Sequence, residues 1–102
     1  MQNKKQYFVV IDERDNVATA VRDAVKGEVI ETNLRQQITL LEDIPKGHKV
    51  AIRDIAANEP IIKYGEVICL AKRNIRKGEH VHIHNITNIL TEYVEAWKSN
   101  EI

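Results

Sequence analysis

The chain has 102 residues, enough for one domain with a modest core. Its 15 Lys and Arg balance 15 Asp and Glu, so there is no basic excess to neutralise phosphates, and nucleic-acid binding by bulk electrostatics is not expected. No apolar run approaches the roughly 20 residues needed to cross a bilayer, and a single cysteine, Cys69, excludes an internal disulfide and a cysteine-based zinc cluster.

Lys4 and Lys5 precede an apolar stretch at residues 7–11 that is too short for a signal peptide, so a cytoplasmic location is expected. That stretch, Tyr7-Phe8-Val9-Val10-Ile11, reads as a buried strand because it is short and rich in β-branched and aromatic residues. Asp15 then reads as an N-cap. Val17, Ala20, Val21 and Ala24 would share one face of a helix that Gly27 stops. The polar alternation over residues 31–39 fits edge strands or a hairpin.

From here the chain repeats itself. Ile44-Pro45-Lys46-Gly47-His48-Lys49-Val50 is echoed by Ile75-Arg76-Lys77-Gly78-Glu79-His80-Val81, with looser copies starting at Ala24 and at Ile55. Each unit is an apolar anchor, a turn with Gly or Asn where a positive φ is wanted, and a new strand. The units are too few and too irregular for a solenoid, and a small folded-over β module is expected. After Asn85 the pattern changes. Ile86, Ile89, Leu90, Tyr93, Val94 and Trp97 follow helical spacing, which predicts an amphipathic helix in a tail of residues 86–102 behind a β domain of residues 1–85. That helix either packs on its own domain or offers a face to a partner, including a second copy.

Three of the four histidines, His80, His82 and His84, stand at every second position. In a strand they would form a column, with Val81 and Ile83 turned the other way toward a core. Histidine is the commonest protein metal ligand and a rare choice for a merely solvated face. Same-face neighbours in a strand are roughly 7 Å apart, so two of the three with a ligand from another segment, such as Asp12 or Asp15, are expected to share an ion.

Three stretches carry a family resemblance: residues 47–55 (Gly-His-Lys-Val-Ala-Ile-Arg-Asp-Ile), 62–68 (Ile-Lys-Tyr-Gly-Glu-Val-Ile) and 78–85 (Gly-Glu-His-Val-His-Ile-His-Asn). With Asp15-Asn16-Val17 ahead of them, they resemble the N-terminal SAF-type domain of the altronate/galactarate dehydratase family, from about Phe8 to Asn85. The resemblance implies a mainly β fold with short helices, a β-clip (SAF-like) module. In that family the module accompanies a larger catalytic domain that removes water from sugar acids, with a divalent metal, Fe2+, as cofactor. A related branch, sulfolactate sulfo-lyase, carries it as a separate small subunit. Two positions depart from the family pattern. Ile11-Asp12-Glu13-Arg14 lacks the usual upstream histidine, and Cys69 stands where glycine is usual.

The resemblance directs attention to Asp15, Asn16, His48, His82 and His84 as catalytic candidates, and to His80, His82 and His84 as metal ligands. Water elimination also needs the substrate carboxylate held, and Lys49, Arg53, Lys63, Tyr64 and Asn85 are the candidates for substrate contact. Asp15 and Asn16 are equally accounted for by helix capping, Tyr64 by packing at a turn, Asn85 by making one, and the cations by solvation. The leading expectation is the small subunit or detached SAF domain of a sugar-acid dehydratase that acts with a separate large subunit. The others are a sulfolactate sulfo-lyase small subunit, a self-associating carbohydrate- or metal-binding module without catalysis, and a plain histidine-rich metal binder.

Overall fold

The computed structural model describes residues 7–87. They contain seven strands: β1 (Val17–Thr19), β2 (Val29–Glu31), β3 (Gln37–Thr39), β4 (Lys49–Ala51), β5 (Pro60–Lys63), β6 (Glu66–Leu70) and β7 (His80–Val81). These form a three-stranded sheet in the order β1-β4-β7 and two hairpins, β2-β3 and β5-β6, all antiparallel. The fold is mainly β, as expected, and the alternation before Thr39 is indeed a hairpin.

The short helix expected after Asp15 is absent: among the described residues there is no helix. Val17-Ala18-Thr19 is a strand paired with β4, Val17 opposite Ala51 and Ala18 opposite Val50. The physical reason is burial on two sides. Val17 and Ala51 enter one apolar cluster with Ile55, Ile61, Cys69, Ala71, Ile75 and Val81. Ala18 and Val50 enter another with Phe8, Ile30, Ile38, Leu40 and Ile44. Only a period of two feeds both cores from one segment. Val21, a member of the supposed helical face, is exposed.

The expected first strand is reduced to two isolated bridges, Phe8 with Thr32 and Val9 with Thr19. Phe8 and Val10 are buried and Ile11 is exposed.

The repeats fold as the spacing predicts. Gly27, Gly47, Asn58 and Gly78 hold φ of +90°, +86°, +73° and +91°. In each unit the N–H of that residue donates to a partner carbonyl, and the next residue's carbonyl accepts from the same partner: Leu40, Ala20, Ala71 and Ala51 in turn. The anchors pair across units, Ala24 with Ile44 and Ile55 with Ile75. Asp23 and Asp43 each accept from the other unit's turn, and Asn74 and Asp54 do the same in the second half. Two similar halves, each with its own hairpin and core, thus share the central sheet.

At the C-terminal edge Ile86 bridges to Ala71, and the Thr87 N–H donates to the Leu70 carbonyl. The rest of the predicted amphipathic helix, residues 88–102, and any dimer contact through it lie outside the described residues.

Candidate metal centre

The site grows from an irregularity in the repeat. In three units the glutamate after the turn residue caps the turn: Glu28, Glu59 and Glu79 accept from the N–H of Val25, Ala56 and Arg76. The unit at residues 44–50 has Pro45 at the donor position, which carries no N–H to cap. Its glutamate position is His48. With no capping duty there, the imidazole reaches across the sheet instead. His48 Nδ1 lies 2.9 Å from His80 Nε2, close enough for one ring to donate to the other.

The histidine column is corrected by the structure. The strand ends at Val81 and the chain turns over residues 82–85. Val81 is buried as expected, but Ile83 is 74 % exposed rather than packed in a core. The turn brings the rings closer than a strand could. His48 stacks on His82 with centroids 4.2 Å apart, and on His80 at 5.1 Å. His80 lies 5.4 Å from His82 and 5.3 Å from His84, whose ring is tilted by 37°. Asn85, fully buried, fixes this turn. Its Oδ1 accepts from the His82 N–H at 3.0 Å and its Nδ2 donates to the His80 carbonyl at 2.8 Å.

Two sets of three donors converge among the described residues, each with its ligand atoms within 4.8 Å of one another: His48, His80 and His82, and Glu42, His80 and His84. Glu42 Oε1 also accepts from the His80 N–H at 2.8 Å. Nothing in the repeat pattern points to Glu42, which adjoins a repeat without belonging to it.

Burial, reinforced by the neighbouring imidazoles, holds His80 below the ordinary histidine range. His82 is lowered by the same causes, with Lys49 adding to them. Both rings are therefore neutral near pH 7, the form a metal requires. The same shift makes stability depend on pH. Between the folded-state values and the ordinary 6.5, the unfolded chain binds more protons than the folded one. The metal-free chain is thus expected to keep this contribution above pH 6.5 and to lose it as pH falls below. Melting temperatures at pH 7.5 and 5.5 check it, and His80→Gln should flatten the difference.

The other sequence candidates divide. Lys49 lies at the edge of the centre, where it interacts electrostatically with His82. It lines a cavity of about 550 Å³ together with Ile68, Cys69, Lys72 and Ile83. Burial, then repulsion from Lys63, pushes the Lys49 ammonium below its ordinary range. Burial likewise raises the Cys69 thiol, which fits a packed side chain. Lys63 Nζ sits 4.8 Å from the centre of the Tyr64 ring, at the tip of the β5-β6 hairpin. Arg53 belongs to another patch. It donates to the Arg14 carbonyl, and Arg14 pairs with Asp12 at 2.9 Å.

Asp15 and Asn16 are buried and bonded to backbone at both ends of their side chains. Asp15 accepts from the N–H groups of Gly65 and Asp12. Asn16 accepts from the Ile62 N–H and donates to the Pro60 carbonyl. Together they latch the β5-β6 hairpin to the start of β1. Neither Asp12 nor Asp15 belongs to either converging donor set.

Residues 6–89 match the family described as the altronate/galactarate dehydratase SAF domain. The chain is 40% identical over 85 residues to an altronate dehydratase of Bacillus subtilis, covering 83% of this chain and 17% of that protein. It is 41% identical over 85 residues to a (2R)-sulfolactate sulfo-lyase subunit alpha of Chromohalobacter salexigens, covering 78% of this chain and 90% of that protein. A galactarate dehydratase (L-threo-forming) of Escherichia coli is 43% identical over 75 residues, 14% of its length. The chain therefore spans less than a fifth of the dehydratases and most of the sulfo-lyase subunit.

Proposed function

The chain belongs to the altronate/galactarate dehydratase SAF domain family, and from that premise we propose that it is the small subunit of a metal-dependent sugar-acid dehydratase. The observation that carries the reading is the convergence of His48, His80 and His82 beside the three-stranded sheet. The 41% identity to a (2R)-sulfolactate sulfo-lyase subunit alpha, matched over 90% of that protein, supports action alongside a separate large chain.

Three imidazole nitrogens, with the His80 and His82 rings neutral, suit a divalent ion such as Fe2+, with positions left open for substrate oxygens. When bound, the ion would polarise the carboxylate and the departing hydroxyl. Lys49, whose charge acts on His82, offers a positive charge at the edge of the centre for the substrate carboxylate, and Lys63 is close enough to Lys49 to repel it. His84, exposed at the rim, offers a ring nitrogen for proton exchange. Asp15 and Asn16 serve this site by holding the hairpin that carries Lys63 and Tyr64. The large chain supplies the remaining groups.

A second reading, the small subunit of a sulfolactate sulfo-lyase, draws on the same relative. One experiment separates the two. The chain is used as bait in an extract of its source cells, and the captured complex is assayed on altronate, galactarate and sulfolactate with ferrous iron. Dehydration of a sugar acid supports the first reading and sulfite release the second. Both activities should vanish in the His82→Ala, His84→Ala double variant, which should still fold and capture the partner. Recovery of the chain alone, inert on all three, would leave an independent binding module.

A further inference from the structure

Glu42 has no part in the three-imidazole centre, yet it is held against it. Its Oε1 accepts from the His80 backbone N–H at 2.8 Å, which fixes the carboxylate beside the His80 ring. A carboxylate keeps further lone pairs after one such bond. The His84 ring is tilted by 37° from His80, whereas His48, His80 and His82 lie within 21° of parallel. The donor atoms of Glu42, His80 and His84 converge within 4.8 Å.

We propose that Glu42, His80 and His84 form a second cation position that shares His80 with the three-imidazole centre, so that one ion is held at a time and its chemistry decides where. Exclusion follows from His80 itself. A neutral imidazole has one nitrogen with a lone pair and one bearing a proton, so it ligates a single ion. Preference follows from the donors. A carboxylate with two imidazoles suits Mn2+ and other oxygen-seeking ions, whereas three imidazoles suit Zn2+. The inference adds to the proposed metal centre but does not depend on any dehydratase activity.

The test uses the full-length chain with Mn2+ or Zn2+ alone. Bound Mn2+ is followed by loss of its free-ion paramagnetic resonance signal, and Zn2+ by competition with a chromophoric chelator. Glu42→Gln keeps an oxygen to accept the His80 N–H, so the local fold is retained. It is expected to weaken Mn2+ by about tenfold or more while leaving Zn2+ within about twofold. His82→Ala should do the reverse, and Zn2+ should release Mn2+ one for one.

Mn2+ affinity unmoved by Glu42→Gln, no Mn2+ binding at all, or simultaneous binding of both ions would overturn the proposal. Loss of the Zn2+ results alone would instead remove the three-imidazole centre and leave the Glu42 position standing.

Discussion

Replacing Gly78 with alanine is expected to destabilise the chain by about 4 kcal/mol or more, placing it among the rare severe single substitutions. Gly78 holds φ at +91°, and a Cβ there would stand 2.2 Å from the Thr39 carbonyl oxygen, a backbone atom. Neither neighbour can move freely. The Gly78 carbonyl accepts from the Leu41 N–H, and its own N–H donates to the Ala51 carbonyl, so the close approach ties the two halves together. Gly47 provides the control. Its φ is +86°, but a Cβ there would meet nothing within 4 Å. Gly47→Ala should therefore cost only the left-handed backbone penalty, about 1–2 kcal/mol. Chemical denaturation of both variants gives the comparison. Equal losses would mean that backbone conformation, not the contact between halves, sets the requirement at Gly78.

The pairing of Gly78 with Gly47 marks the boundary of what was legible in the chain. The four turn units were visible because an L-residue rarely adopts a positive φ, which restricts the residue at that point to Gly or Asn. Local chemistry wrote that signal. The contact that separates the two glycines is made by Thr39, far away in sequence, and leaves no local trace. The segment after Asp15 reads as a helix for a related reason. Its small apolar residues fit a helical period by coincidence, while their real constraint is two-sided burial on β1. Asp15 resembled an N-cap because the same side-chain oxygen that caps a helix also caps a hairpin, here at Gly65.

The site divides along the same line. His82 and His84 stood out as histidines in alternation, and His48 through its repeat. What could not be read was the turn after Val81, which converts an expected column into a cluster. Alternation of side chains predicts continued strand, whereas Asn85 bends the backbone with its own side-chain bonds. Glu42 was invisible because its partner is the backbone of a residue 38 positions away.

Asn85→Ala should therefore act on fold and metal together. The side chain is fully buried, and its removal strands two polar groups, the His82 N–H and the His80 carbonyl. An unsatisfied buried group costs about 1–3 kcal/mol, so a total loss of about 2–4 kcal/mol is expected. The turn is also what sets His82 beside His48, with ring centroids 4.2 Å apart. Residues that orient metal ligands typically govern about 10–100-fold in affinity, and Zn2+ binding should weaken by that much. Asn85→Asp divides the two bonds. It keeps an acceptor for His82 but loses the donor and sets a carboxylate against the His80 carbonyl, so it should lose stability while preserving more of the Zn2+ affinity. Thermal unfolding and chelator competition on both variants measure the two effects independently. If Asn85→Ala lost stability yet bound Zn2+ within about twofold of the parent, the bound ion itself would be what gathers the rings, and the buried amide would serve the fold alone.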